Sequence, residues 1–291
     1  MFIMLVIEKY YLVLMKNKKR NYFSFFISLY IIIIKYDIII IEDKLMKDKT
    51  KLKLLTTIFI IVSFFVLKAM DVDDRVLASL GIFDSFYGDI VVTDNISMEN
   101  IPPYEGYSYI TINNNEPFFT ESEITSESFE LYYPLDSLGR PTKAESSIGK
   151  DLMPKEKRGD IGSVRPPGFQ FSKYDFVDNK YLYNRCHLIA YMLTGENANK
   201  RNLITCTRSA NVKGMLPFEN MVSNYVRATK NHVMYRVTPI YEGSNLVASG
   251  ILMEAYSVED NGETIKFNVY IYNVEDGVKI DYSNGNNKLD K

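Results

Sequence analysis

Two histidines serve all 291 residues. A mechanism that needs a side chain titrating near neutral pH therefore has only His187 and His232 to draw on. His187 closes the run Asn184-Arg185-Cys186-His187, and downstream come Asn211 and then Glu219. In chain order these are a base, a neutral oxygen donor and a carboxylate. Such a set suits hydrolysis assisted by a hard cation. An imidazole with an ordinary pKa of about 6.5 is mostly neutral at pH 7 and can take a proton from water, and amide and carboxylate oxygens are the donors Mg²⁺ prefers. His232, which opens an apparent strand beside Asn231, reads as structural.

The charge distribution fits an anionic ligand at this place. The net charge is −2, but residues 181–240 carry 8 Lys+Arg against 2 Asp+Glu, whereas residues 71–160 carry 7 against 18. A positive field over the stretch that holds His187, Asn211 and Glu219 gathers phosphates, while the acidic remainder repels bulk polyanion. With 46% apolar residues the chain can bury a sizeable core and is not a disordered protein.

The elements that must position these residues read as follows. Residues 107–113 alternate as a strand and end in three asparagines; residues 138–141 and 164–168 are turn and loop. Residues 181–185 and 203–207 are extended. Pro217 suits the first turn of a helix that carries Glu219 and an apolar stripe of Met221, Val222, Tyr225 and Val226. Three strands follow, beginning at 233, over 246–258 and over 265–272, the last two joined through Asp260-Asn261-Gly262, a hairpin signal because Asn-Gly tolerates positive φ. Tyr256, Phe267, Tyr270 and Tyr272 read as filling for this sheet.

With these residues in view, Asn184-Arg185-Cys186-His187 resembles the Asp-Arg-Gly-His motif of the DNA/RNA non-specific endonucleases, the ββα-metal or His-Me finger nucleases. Asn211 falls at the family's metal-binding asparagine, and Glu219, eight residues on, at its supporting glutamate. The text around 197–205 and 214–220 is also family-like, and the similarity covers roughly residues 100–283. It is strongest to bacterial secreted or membrane-tethered members.

The resemblance implies an α+β fold, a ββα-metal core on a central, mostly antiparallel sheet flanked by helices. It also implies a Mg²⁺-dependent endonuclease, with Mn²⁺ as a substitute, acting on DNA, with RNA as a second substrate, and leaving 5′-phosphates. His187 is then the general base, Asn211 the direct metal ligand, and Glu219 the holder of metal-bound waters. Arg185 is the phosphate clamp or site organiser; Arg208, Lys213 and Arg227 are outer contacts to the phosphate backbone, and Asn202 braces the hairpin. Asn184 and Cys186 depart from the motif. Losing the aspartate removes a charge that could orient neighbours, and cysteine in place of glycine demands ordinary backbone dihedrals.

Two other functions are consistent with the sequence: a surface-tethered polymer-binding module, for which Asn184 speaks, and an antagonistic nuclease toxin with an immunity partner. Cys186 and Cys206 are too few for a disulfide scaffold and read as two buried free thiols, although they flank the site on segments that an oxidising exterior could join. They do not make a recognised zinc spacing with His187.

Residues 54–67 run without a charge behind Lys47, Lys49, Lys51 and Lys53. This is the layout of a signal peptide or signal-anchor over 46–70, shorter than the roughly 18–20 apolar residues of a comfortable span. Export to the outside of a bacterium follows, with membrane attachment if the segment is retained. Residues 1–45, with a second oily stretch at 22–41, read as upstream sequence before a true start at Met46, or as an extra hydrophobic segment. Residues 71–100 read as an acidic tether, 101–283 as the endonuclease domain and 284–291 as a polar tail.

Overall fold

The computed structural model describes residues 96–290. The expectations for residues 1–45, for 46–70 and for most of the tether lie outside them. Among the described residues no helix is long and apolar enough to cross a membrane.

The frame is a six-stranded sheet. Its strands are β1 (Tyr109–Thr111), β2 (Phe129–Tyr132), β3 (Ala144–Ile148), β6 (Val233–Ile240), β7 (Gly250–Ser257) and β8 (Lys266–Tyr272), in the order β1-β8-β7-β6-β3-β2. Every pairing is antiparallel. The β7–β8 turn is the expected one, with Asn261 and Gly262 at φ 55° and 74°. Period-2 alternation sends Tyr235, Val237, Ile251, Met253, Ala255, Phe267, Val269 and Ile271 into one core, which is closed by the long helix α2 (Leu216–Thr229) through Phe218, Val222, Tyr225 and Val226.

Among the described residues the long helix lies on that face alone, and the opposite face is covered differently. Ile96, Met98, Ile101 and Tyr104 pack there against Leu252, Tyr270 and Tyr272. Farther along, a polar row crosses the sheet: Arg236 pairs with Glu123 at 2.7 Å and Glu145 at 3.4 Å, under the ring of Phe119. Among the described residues helices therefore flank one face of the sheet, not both, and residues 96–100, read as tether, are part of the fold. Their alternating apolar residues find a sheet face that would otherwise be wet. The C-terminal residues are likewise not a tail: β10 (Asn287–Leu289) pairs with β9 (Val278–Ile280).

A separate two-stranded hairpin lies beside the large sheet. It consists of β4 (Tyr183–His187) and β5 (Leu203–Thr207), with the short helix α1 (Tyr191–Thr194) in the connection, and leads through one turn of π-helix (Ala210–Met215) into α2. This strand–strand–helix unit holds His187, Asn211 and Glu219. Gly214 lets the π-turn lie against the sheet, because a Cβ there would meet Ile271 Cγ2 of β8.

Cys186 and Cys206 are disulfide-bonded, which corrects the reading of free thiols. The register pairs Cys186 with Ile204, so Cys206 is its diagonal neighbour on the same face of the hairpin. Their Cα atoms stand 5.9 Å apart, inside the range a disulfide spans. The bond closes a loop of about 20 residues, for which chain entropy gives about 3 kcal/mol. Replacing both cysteines with serine is expected to lower the melting temperature by several degrees while leaving activity per folded molecule nearly intact. Thermal unfolding and turnover of the same sample check this.

Candidate active site

His187 ends β4 with its ring almost fully buried, and both ring nitrogens are engaged. Nε2 lies 2.7 Å from the carbonyl oxygen of Asn197. A carbonyl can only accept, so Nε2 carries the proton and Nδ1 presents its lone pair. Nδ1 meets Arg158 Nη2 at 3.5 Å. Burial, with the Arg158 charge adding to it and the Asn197 contact opposing it, pushes the imidazole pKa down to about 4. The ring is neutral at pH 7, with its basic nitrogen turned to a cation-lined pocket.

That pocket is a cavity of about 220 Å³ bounded by Arg158, Arg185, His187, Tyr191, Asn211 and Glu219, with Ala190, Met192 and Leu216 as its apolar wall. Glu219, in the first turn of α2, is buried, which drives its carboxyl up to about 8 against the opposing pull of Arg158. Neither the Glu219 carboxylate nor the Asn211 amide has a hydrogen-bond or ion-pair partner among the described residues. The Tyr235 hydroxyl, buried and within electrostatic reach of Glu219, also lacks one. Uncommitted hard oxygens on one cavity wall fit a divalent cation that keeps most of its waters. Among the described residues there is no cluster of three His, Cys, Asp or Glu that could hold a metal without such water.

Local structure fixes these groups. Asn202, fully buried, accepts from Ile189 N–H at 2.8 Å and donates to the Ile189 carbonyl at 3.0 Å, closing the neck of the β4–β5 connection just after His187. The π-turn is anchored where Thr207 Oγ1 accepts from Ala210 N–H and Glu275 accepts from both Ser209 N–H and its hydroxyl. Arg185 donates to the carbonyls of Val164 at 2.5 Å and Gly162 at 3.2 Å and stacks on Phe169 at 4.4 Å. It lines the cavity and organises the 162–169 loop at once.

Arg158 escaped the sequence reading. It stands in a loop tied on both sides: Tyr191 Oη donates to the Glu156 carbonyl at 3.0 Å, and Asn197 Nδ2 donates to the Asp160 carbonyl at 3.3 Å. The cluster Lys155, Lys157 and Arg158 was a usable signal, hidden inside a strongly acidic segment. The Asn197 carbonyl, a backbone group, left no side-chain signature.

Other expected residues are not at the cavity. Arg208 is held by Asp178 at 2.7 Å, Arg227 donates to Ser223 Oγ at 3.1 Å, and Lys213 is exposed on the π-turn. The register puts Asn184 opposite Cys206, one residue out of phase with Arg185 and His187, so it lies on the other face of the hairpin. Its Nδ2 is buried without a partner. His232 pairs with Glu259 at 2.6 Å, away from the site.

An antiparallel sheet beside a strand–strand–helix unit, with a histidine on the first strand, asparagine in the π-turn and glutamate on the helix, defines a class. Residues 120–259 match the DNA/RNA non-specific endonuclease family.

The chain is 34% identical over 210 residues to a deoxyribonuclease of Streptococcus dysgalactiae subsp. equisimilis; the match takes in 57% of this chain and spans 62% of that relative's length. Among solved structures, NucA from Streptococcus agalactiae with a magnesium ion bound is similar at a TM-score of 0.55 and 26% identity, covering 62% of this chain and 86% of that one. Sda1 nuclease with a bound zinc ion gives 0.51 and 26%, covering 61% and 95%.

Proposed function

We propose that the protein is a divalent-metal-dependent, sequence-non-specific endonuclease that hydrolyses phosphodiester bonds of DNA, and of RNA as a second substrate, outside the bacterial cell. The observation that carries this reading is the neutral His187, its tautomer set by the Asn197 carbonyl, with Nδ1 meeting Arg158 at a cavity shared with two arginines and two uncommitted oxygen donors. Nδ1 takes the proton of a water that attacks phosphorus, at the position where it now meets a donor from Arg158; the P–O3′ bond breaks, and the departing 3′-oxygen takes a proton from solvent, leaving a 5′-phosphate. Arg158 moves its hydrogen bonds to the non-bridging phosphate oxygens, where a planar guanidinium matches the developing charge. Asn211 would hold a Mg²⁺ or Mn²⁺ ion directly, and Glu219 would hold its waters. Such an ion, when bound, supplies Lewis-acid stabilisation of the phosphoryl and leaving oxygens.

Arg185 keeps the pocket wall in place, and exposed Lys213 is suited to a flanking phosphate. Arg208 and Arg227 would have to leave Asp178 and Ser223 to do the same. Extracellular action is supported by the basic-then-apolar pattern at 46–70 and by the disulfide, which persists in oxidising surroundings. The polymer-binding alternative drew on Asn184, and its placement on the far face of the hairpin leaves base and metal donors in position.

Contacts to phosphate alone carry no sequence information. Plasmid DNA is therefore expected to be cut to a smear whose fragments can be ligated without prior kinase treatment, as 5′-phosphate ends require. A discrete sequence-dependent ladder, or fragments that need a kinase, would contradict this reading.

A further inference from the structure

Phe171 is 69% exposed, yet it is not a loose side chain. Its ring stands edge-on against buried Phe169, centroids 5.3 Å apart at 86°. Its neighbours in sequence are anchored on both sides: Gln170 Nε2 donates to the Asn284 carbonyl at 3.1 Å, and the Ser172 carbonyl accepts from Leu182 N–H at 3.0 Å. Two guanidinium groups sit against the ring. Arg165 Cζ is 5.9 Å from its centroid, fixed by donation to the Phe169 carbonyl at 3.2 Å, and Arg185 Cζ is 5.8 Å away. Arg185 also lines the catalytic cavity. The exposed Phe176 and Tyr181 instead pack beside Tyr174 and Lys173.

A rigid aromatic face open to water, flanked by cations, one of which borders the cavity, has the chemistry that receives a nucleobase. We propose that Phe171, with Arg165, forms a base-stacking subsite next to the scissile-phosphate position, and that this subsite favours single-stranded or locally unpaired substrate. This rests on the nuclease reading above. In a duplex both faces of each base are covered by its neighbours in the stack, so only an unstacked base can lie on the ring. The arginines beside it then hold the phosphates that flank that base. The site reads no hydrogen-bonding edge, so it selects strandedness and leaves sequence free.

The test compares wild type, Phe171→Ala, Phe171→Leu and Phe171→Trp on one oligonucleotide as a single strand and as its duplex, with His187→Ala as the blank. Phe171→Ala is expected to lower the ratio of single-strand to duplex kcat/KM about tenfold, toward the lower end of what one base–aromatic stack contributes. The loss should fall on the single-strand KM. Trp should restore the ratio and Leu should not, since leucine supplies apolar bulk without a π face. In wild type, an abasic residue at one position relative to the cut should reproduce the loss, and Phe171→Ala should be insensitive to it.

An unchanged ratio, an equal loss on both substrates, or rescue by Leu as complete as by Trp would overturn the subsite while leaving the nuclease standing. A wild type no more active than the His187→Ala blank would overturn the nuclease reading and the subsite with it. Melting temperatures within a degree or two of wild type, expected for so exposed a side chain, keep the variants comparable.

Discussion

Replacing His187 with alanine is expected to reduce DNA cleavage by roughly 10²–10⁴-fold, the range a positioned general base contributes. The fold should persist, because the hairpin is held by Asn202, the disulfide and the β4–β5 ladder and not by the imidazole. The pH dependence carries the finer signature. Burial and Arg158 hold the His187 pKa near 4, so the loss of the base on acidification should set in only below about pH 5, separate from any change near pH 8, where the buried Glu219 carboxyl titrates. A base of ordinary pKa would already be losing activity at 6.5.

Stability follows the same linkage. The folded pKa is depressed, so between about pH 6.5 and 4 the unfolded chain binds the extra proton. The contribution is complete above 6.5 and is lost as pH falls through that window, up to about 3 kcal/mol. His187→Ala should remove this part of the acid sensitivity. A variant that kept both full activity and the wild-type acid limb would place the base elsewhere.

The second large effect is expected at Asn211. In the proposed reading the Asn211 amide oxygen, on the cavity wall, would position the cation. Asn211→Ala should cost several kcal/mol of transition-state stabilisation, about 10²–10³-fold in rate, and move the metal titration to higher concentration. Glu219→Gln should shift the same titration by less, about 10–100-fold in metal affinity or activity, as expected of a group acting through bound water. Cleavage measured against Mg²⁺ concentration for the three proteins separates these roles. An Asn211→Ala enzyme with a wild-type metal midpoint would mean that the ion sits on other ligands.

The sequence made some of this legible and hid the rest for physical reasons. Strand alternation and the Asn-Gly turn put β6, β7 and β8 on the page because one sheet face is apolar and the turn needs positive φ. His187 stood out because only two histidines serve the chain, and Asn211 and Glu219 because they follow it at the family's spacing. Arg158 did not, since its contribution vanished into the average of a segment dominated by carboxylates, and the irregular loop bearing it has no period to detect. The Asn197 carbonyl and the bracing of His187 through Asn202 are backbone geometry, fixed only once the β4–β5 connection closes. The disulfide depended on a diagonal register that spacing alone does not specify. Residues 96–100 and 287–289 look polar or tether-like alone, and gain structure from a sheet face and a partner strand supplied from elsewhere in the chain.

The most direct test of the central claim is conversion of supercoiled plasmid by the purified protein in Mg²⁺, in EDTA, and in Mg²⁺ with His187→Ala in parallel. The account predicts progressive degradation in the first and intact plasmid in the other two over the same time. A folded wild type that leaves plasmid intact in both Mg²⁺ and Mn²⁺, or cleavage that survives EDTA or loss of His187, would contradict it.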